Sequence, residues 1–265
     1  MSMMNRKPKV MPRVQAPATK PLDPVQENKA LVERVAQDRA QSMRAPGPEA
    51  SPLSSPPPQL RLAICVPCKD MMHSVFSHNL NSLINYNFQK GIETRVFYNM
   101  GTLVVNQRAS LVKMAKEWAA SHILWLDSDM SFPFYTAYKL LSHNKAIVAG
   151  NYPTRVLPYK TVAYTKQGDW DSYLRHGPDV NPRKELIEVE GIGMGCMLTD
   201  TSVFDKIGKP WFNIAYDERT DDYLGEDMDF CIRATANGYK IFVDDVLSRQ
   251  VSHLGTYAYT HDLVK

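Results

Sequence analysis

Asp127-Ser128-Asp129 closes an apolar run, His122-Ile123-Leu124-Trp125-Leu126. Carboxylates at i and i+2 in an extended backbone point to the same side. Ligands of open α/β sheets bind at the carboxyl ends of the strands. Two acids held together there repel each other unless a cation sits between or beside them. A hard divalent cation suits carboxylate ligands, and it would in turn bridge phosphate oxygens. The plain alternative is an acidic turn or a helix N-cap. Asp-x-Asp is a common pattern, and taken alone it favours that alternative.

Further residues change the weight. Gly225-Glu226-Asp227-Met228-Asp229-Phe230-Cys231 opens a helix pattern. A helix start tolerates acids because of the dipole. The chemical alternative is a catalytic carboxylate aimed at an acceptor hydroxyl. His253, in Val251-Ser252-His253-Leu254-Gly255, would act beside two aspartates as a third ligand and favour manganese over magnesium. Gly191, Gly193 and Gly195 fall on one face of a strand read over 188–198, where a ligand could approach the backbone. They are not the dinucleotide fingerprint, because the third glycine comes too early and no helix opens there. Arg108 opens an amphipathic helix and could reach a diphosphate; the alternative is a solvated helix arginine.

These residues need a scaffold, and the chain alternates the right patterns to supply one. Short apolar strands are expected at 62–66, 94–98, 122–126, 146–150 and 239–243. Helices are expected at 74–87, 106–120, 134–143, 202–207 and 225–237, with short strands and loops over 159–190 and His253 in a terminal loop. Strand–helix alternation of this kind predicts an α/β domain with a mostly parallel sheet and helices on both faces. The 265 residues suffice for one such core, and 44% hydrophobic with 22% charged is ordinary for a globular protein.

Residues 1–59 differ. They hold 11 of the 18 prolines, with 9 Lys/Arg against 5 Asp/Glu, leaving 22 basic and 23 acidic residues for 60–265. The net charge of +3 therefore comes from this segment, and the near-neutral remainder lacks the footprint of a nucleic-acid binder. Such a stretch reads as a disordered Pro-rich tail. One helix is expected in it at 24–44, with Asp23 as cap, Pro24 at the first position and Val25, Leu31, Val32 and Val35 as a partial stripe suited to oligomerisation. No apolar run reaches the ~20 residues of a membrane span and no secretory h-region follows the N-terminus, so the expected compartment is the cytoplasm, with peripheral membrane association left open.

Taken in order, the motifs resemble the GT-A fold glycosyltransferases of the family-2 type. The resemblance is carried by Ala63-Ile64-Cys65-Val66-Pro67, Asn106-Gln107-Arg108-Ala109, Ile123–Met130, Gly193-Met194-Gly195-Cys196-Met197-Leu198, the 225–231 segment, Gly238-Tyr239-Lys240-Ile241 and Ser252-His253. It covers about residues 60–256. It implies a Rossmann-like, mixed, mostly parallel sheet, with a nucleotide-sugar-binding half at 60–150 and an acceptor half at 151–265. The cofactor implied is a divalent cation, Mn²⁺ or Mg²⁺, and the donor a nucleoside-diphosphate sugar. Asp129 and His253 match metal ligands, and Asp127 a contact to the ribose or the metal. Asp227, with Glu226 beside it, matches the base of inverting members. Pro67 matches the nucleotide-base pocket, and Asn99 stands where the family often has an acidic residue that reads uracil. Trp211 and Phe212 would face the acceptor, or else pack in the core. The acceptor itself stays open among carbohydrate, lipid, protein and modified nucleic acid.

Two rival readings stand beside this one, the first on the same aspartates and the second on a cysteine pair. A metal-dependent nucleotidyltransferase would also need Asp-x-Asp and a nucleotide. Cys65-Val66-Pro67-Cys68 resembles a thioredoxin-type C-x-x-C and would make a redox module.

Overall fold

Arg61–Cys68 (β1) is buried from Leu62 to Cys68, and its side chains alternate between two cores. Ala63 and Cys65 join one core; Leu62, Ile64, Val66 and Cys68 join the other. That alternation is the strand period of two, and it makes β1 a central strand covered on both faces. A computed structural model describes residues 60–155, 159–166, 173–175, 185–218 and 221–255. The tail and the helix expected at 24–44 lie outside the described residues.

Ser74–Gln89 (α1) buries Phe76, Leu80, Leu83 and Asn87, one face of a 3.6-residue period, against the second core. Glu93–Met100 (β2) pairs parallel with β1, Leu62 opposite Thr94. Val104–Glu117 (α2) buries Leu111, Val112 and Ala115 in the first core. It starts before the expected Asn106 and stops at Glu117, because Trp118 caps it and Ala119 takes the left-handed φ of 56°. His122–Leu126 (β3) pairs parallel with β1 on its other side.

The chain then runs through Met130–Ser131 (β4), Thr136–Ser142 (α3) and Ile147–Ala149 (β5). Ala163–Lys166 (β6), Tyr173–Arg175 (β7), Leu186–Val189 (β8), Gly191–Ile192 (β9) and Cys196–Asp200 (β10) follow. After Ser202–Ile207 (α4) come the hairpin Ala215–Asp217 (β11) and Asp222–Leu224 (β12), then Glu226–Ala236 (α5). Ile241–Asp244 (β13), Asp245–Ser248 (α6) and Ser252–His253 (β14) complete the described elements.

The main sheet has seven strands in the order β2-β1-β3-β10-β5-β13-β8. Strands β2, β1, β3, β5 and β13 run one way; β10 and β8 run against them. This is the mixed, mostly parallel sheet flanked by helices that the GT-A resemblance implies. The connections from β1 go first to β2 and then back across to β3. The strand order therefore reverses beside β1 and β3, and it is at such a reversal, outside the carboxyl ends of the strands, that open α/β sheets form their ligand crevice.

Two expectations need correction. The strand expected over 188–198 is three pieces, β8, β9 and β10, in two sheets, with Gly193–Gly195 turning between β9 and β10. The glycines therefore do not line one strand face. His253 is not in a loop: β14 pairs antiparallel with β4, His253 opposite Met130.

Candidate active site

The site starts at the end of β3. Met130 N–H donates to the Asp127 carbonyl at 3.0 Å, which folds residues 127–130 into a tight turn. An extended backbone would have sent both carboxylates to one side; the turn separates their partners. Asp127 Oδ1 accepts from Arg108 Nη2 at 3.0 Å. Asp129 Oδ2 lies 2.9 Å from Arg155 Nη1 and 3.3 Å from His253 Nε2. Each aspartate thus has its own guanidinium.

Arg108 is not the solvated helix arginine that the sequence allowed. It is 2% exposed, and its Nε donates to Glu226 Oε1 at 3.1 Å. Its Cζ lies 5.6 Å from the centroid of the Trp125 ring. Burial works against its charge, but Asp127 and Glu226 outweigh that and hold its pKa above the usual arginine value. Nη1 is buried with no hydrogen-bond partner among the described residues. One helix side chain therefore joins the end of β3 to the start of α5.

Asp227 sits in the first turn of α5, after Gly225 as N-cap. Its Oδ1 accepts from Met228 N–H at 2.8 Å. A Cβ on residue 225 would come within 2.8 Å of that oxygen, so glycine leaves the carboxylate its place. Burial, then the neighbouring Glu226, pushes the Asp227 carboxyl above the ordinary aspartate range, and Arg108 offsets only part of this.

His253 is set from both sides. Its Nδ1 lies 3.3 Å from the Pro153 carbonyl, which only accepts, so Nδ1 carries the proton of that contact. Nε2 is left facing Asp129. Leu254 N–H donates to the Asp129 carbonyl at 2.7 Å and fixes the register of the two segments. A histidine that gives one N–H to a backbone carbonyl and offers the other nitrogen beside a carboxylate has the build of a metal ligand. A small divalent cation bound by one or two protein ligands and by substrate phosphates fits Asp129 and His253. Asp127 does not join them. Among the described residues no group of three or more His, Cys, Asp or Glu side chains is placed to hold a metal ion. Asp129 is held below the ordinary aspartate range: burial opposes this, but the His253 contact and Arg155 prevail.

Tyr152 is the residue sequence reading missed. Gly195 N–H donates to its hydroxyl at 2.9 Å, and Asp127 N–H donates to the Gly195 carbonyl at 3.1 Å. Its ring meets His253 edge-on at 5.5 Å. A Cβ on residue 193 or 195 would lie 2.6 Å from the phenol oxygen. The space beside Gly193 and Gly195 is thus filled by Tyr152, not left for a ligand. Burial, then Asp127, raises the Tyr152 pKa well above the usual phenol value. The only hint in the sequence was position, just after the strand at 146–150.

The sequence matches no protein-family model and no curated protein. Among solved structures the chain is similar to A197 from STIV, at 15% identity and a TM-score of 0.44, over 76% of this chain and 97% of that one. It is also similar to a Drosophila beta-1,4-galactosyltransferase 7 mutant in complex with manganese, UDP-Gal and xylobiose. There the identity is 13% and the TM-score 0.43, over 78% of this chain and 80% of that one. For TarS of S. aureus, the values are 13% and 0.37, over 74% and 60%.

Pro67 and Asn99 are register partners at the carboxyl ends of β1 and β2. Gln107 Nε2 donates to the carbonyls of Cys68 and Asn99, at 2.6 and 2.8 Å, and ties those two ends together. Trp211 and Phe212 are buried with Phe204, Phe230 and Trp125, so they are core and do not face an acceptor. Cys65 and Cys68 enter opposite cores, and strand geometry keeps their side chains on opposite faces. A C-x-x-C disulfide is excluded in this fold, and with it the redox module.

Proposed function

We propose that this protein is a metal-dependent glycosyltransferase, moving a hexosyl or pentosyl unit from a nucleoside-diphosphate sugar to an acceptor hydroxyl with inversion. The observation that carries the reading is the bridge from Asp127 through Arg108 to Glu226. It brings the acidic turn and the acidic helix start, distant in sequence, to one crevice at the strand ends.

The roles follow from the chemistry of each group. Asp129 and His253 would hold the cation, Mn²⁺ or Mg²⁺, which when bound supplies a Lewis acid for the diphosphate leaving group. Asp127 serves the ribose. Arg108, the buried counter-charge of Asp127 and Glu226, would lend its positive charge to the diphosphate. Pro67 and Asn99 border the base, in a donor half at 60–150. Asp227 takes the proton of the acceptor hydroxyl as that oxygen attacks the anomeric carbon and the bond to the diphosphate breaks. Its raised pKa makes it a stronger base than an ordinary aspartate.

The test is a donor screen. Nucleotide sugars, with and without Mn²⁺, should raise the melting temperature of the wild type, and Asp129→Ala should lose the metal-dependent part. Transfer should release a nucleoside diphosphate. Release of pyrophosphate would instead mean nucleotidyl transfer, and a wild type that no nucleotide sugar stabilises would end the proposal.

A further inference from the structure

The hairpin before α5 has a feature that neither the core nor the acidic pocket uses. Strands β11 and β12 place Tyr216 opposite Tyr223, and directly opposed residues share one face. Their rings meet edge to face with centroids 5.3 Å apart. The two residues are nevertheless 50% and 69% exposed. The Tyr216 hydroxyl donates to Asp221, a residue at φ 53°, which holds that ring in place. The hairpin is rooted in the site: β12 runs through Leu224 directly into Gly225, the N-cap of α5. The Asn213 backbone N–H also bonds the Asp229 carboxylate. Tyr223 stands four residues before Asp227, so their Cα atoms are at most about 14 Å apart.

The chemistry of this face selects among acceptors. Aromatic rings offer flat apolar area for the C–H face of a sugar ring. Asp217, Asp221 and Asp222 on the same hairpin add negative charge, and carboxylates accept from sugar hydroxyls. The same charge repels a polyanion such as DNA. Two rings side by side on one face offer contacts to more than one linked sugar.

We propose that Tyr216 and Tyr223 form a platform for the sugar units of a neutral oligosaccharide acceptor, whose terminal hydroxyl reaches Asp227. This rests on the glycosyltransferase reading. The full chain is titrated with cello-, malto-, chito- and xylo-oligosaccharides from one sugar unit upward, read by tyrosine fluorescence and by NMR line shifts. No sugar transfer is needed for either readout. One series should bind more tightly as it lengthens. Tyr216→Ala and Tyr223→Ala should each weaken binding about tenfold, the effect of one lost ring contact, while Tyr223→Phe keeps the ring and the affinity. Thermal melts check that the variants fold, and nucleotide-sugar stabilisation is measured on the same samples. If that stabilisation is absent while saccharides bind through the tyrosines, the glycosyltransferase reading fails and the platform stands. The platform is overturned if no series binds, if both alanine variants bind as wild type, or if only DNA or a basic peptide engages the pair.

Discussion

Arg108→Ala tests the centre of the argument. Removing one partner from a buried ion pair costs about 3–5 kcal/mol, chiefly because the other charge is left buried without compensation. Here two acids would be left, Asp127 and Glu226, with side chains 30% and 14% exposed. Water reaches Asp127 and relieves part of the penalty, so the lower end applies, about 3 kcal/mol. The packing of Arg108 against Trp125 is lost as well. For a folded body of about 200 residues, 1 kcal/mol shifts the melting temperature by about 2–4 °C, so the expected drop is about 6–12 °C.

Tryptophan fluorescence is the natural probe, because Trp125 is fully buried beneath the guanidinium. Two further variants separate charge from packing. Arg108→Lys supplies a point charge that cannot fork to both acids, and should recover about half of the loss. Arg108→Ala combined with Glu226→Gln removes one of the two stranded charges, and should be more stable than Arg108→Ala alone. If Arg108→Ala melts within about 2 °C of wild type, the guanidinium is not the buried bridge described. If Glu226→Gln restores nothing, the two acids do not share it.

Two other outcomes follow from the same geometry. The raised pKa of Asp227 means that the folded state holds the proton more tightly than the unfolded chain, so stability falls as pH rises from the ordinary aspartate range through the raised value. Asp227→Asn should match wild type below that window and exceed it above in urea melts; a gap that opens on acidification instead would contradict the shift. Gly193→Ala should cost roughly 1–3 kcal/mol by driving a methyl into the Tyr152 hydroxyl. Tyr152→Phe should rescue Gly193→Ala better than Gly195→Ala, because at residue 195 the ring carbon itself is 2.8 Å from the new Cβ, against 3.3 Å at residue 193. Equal rescue in thermal melts would show that Tyr152 does not fill that space.

The elements were legible because hydrophobic period decides them locally. The bounds of β3 and α4 fall where the sequence puts them, and the helix face of Phe76, Leu80 and Leu83 is carried by spacing alone. What escaped was set by distant pairing. Whether residues 127–130 continue as strand or turn back depends on β14, whose partner β4 lies more than a hundred residues earlier. Arg108 has the same residue type whether solvated or buried; it is buried because acids from β3 and α5 converge on it. Gly193 and Gly195 signalled close approach correctly but not what approaches, since a tyrosine side chain and a ligand require the same missing Cβ.

Charge gives a physical reason to keep a metal in the proposal, with Asp129 and His253 as the residues that would hold it. Asp127, Asp129, Glu226 and Asp227 contribute four carboxyl groups around the crevice, and Arg108 and Arg155 are the guanidinium groups that answer them. A diphosphate entering there adds negative charge to a site that is already acidic. Arg155, half exposed, bonds both Asp129 and the Leu254 carbonyl, and turning it toward phosphate would break both contacts and strip Asp129 of its counter-ion. The buried Arg108 cannot leave without stranding two acids. A divalent cation held by Asp129 and His253 would meet both demands, because it would take over from Arg155 as the counter-charge of the carboxylate and supply positive charge for the diphosphate. The order of events that this requires is specific: donor and metal bind together more tightly than either alone, and the coupling disappears in Asp129→Ala.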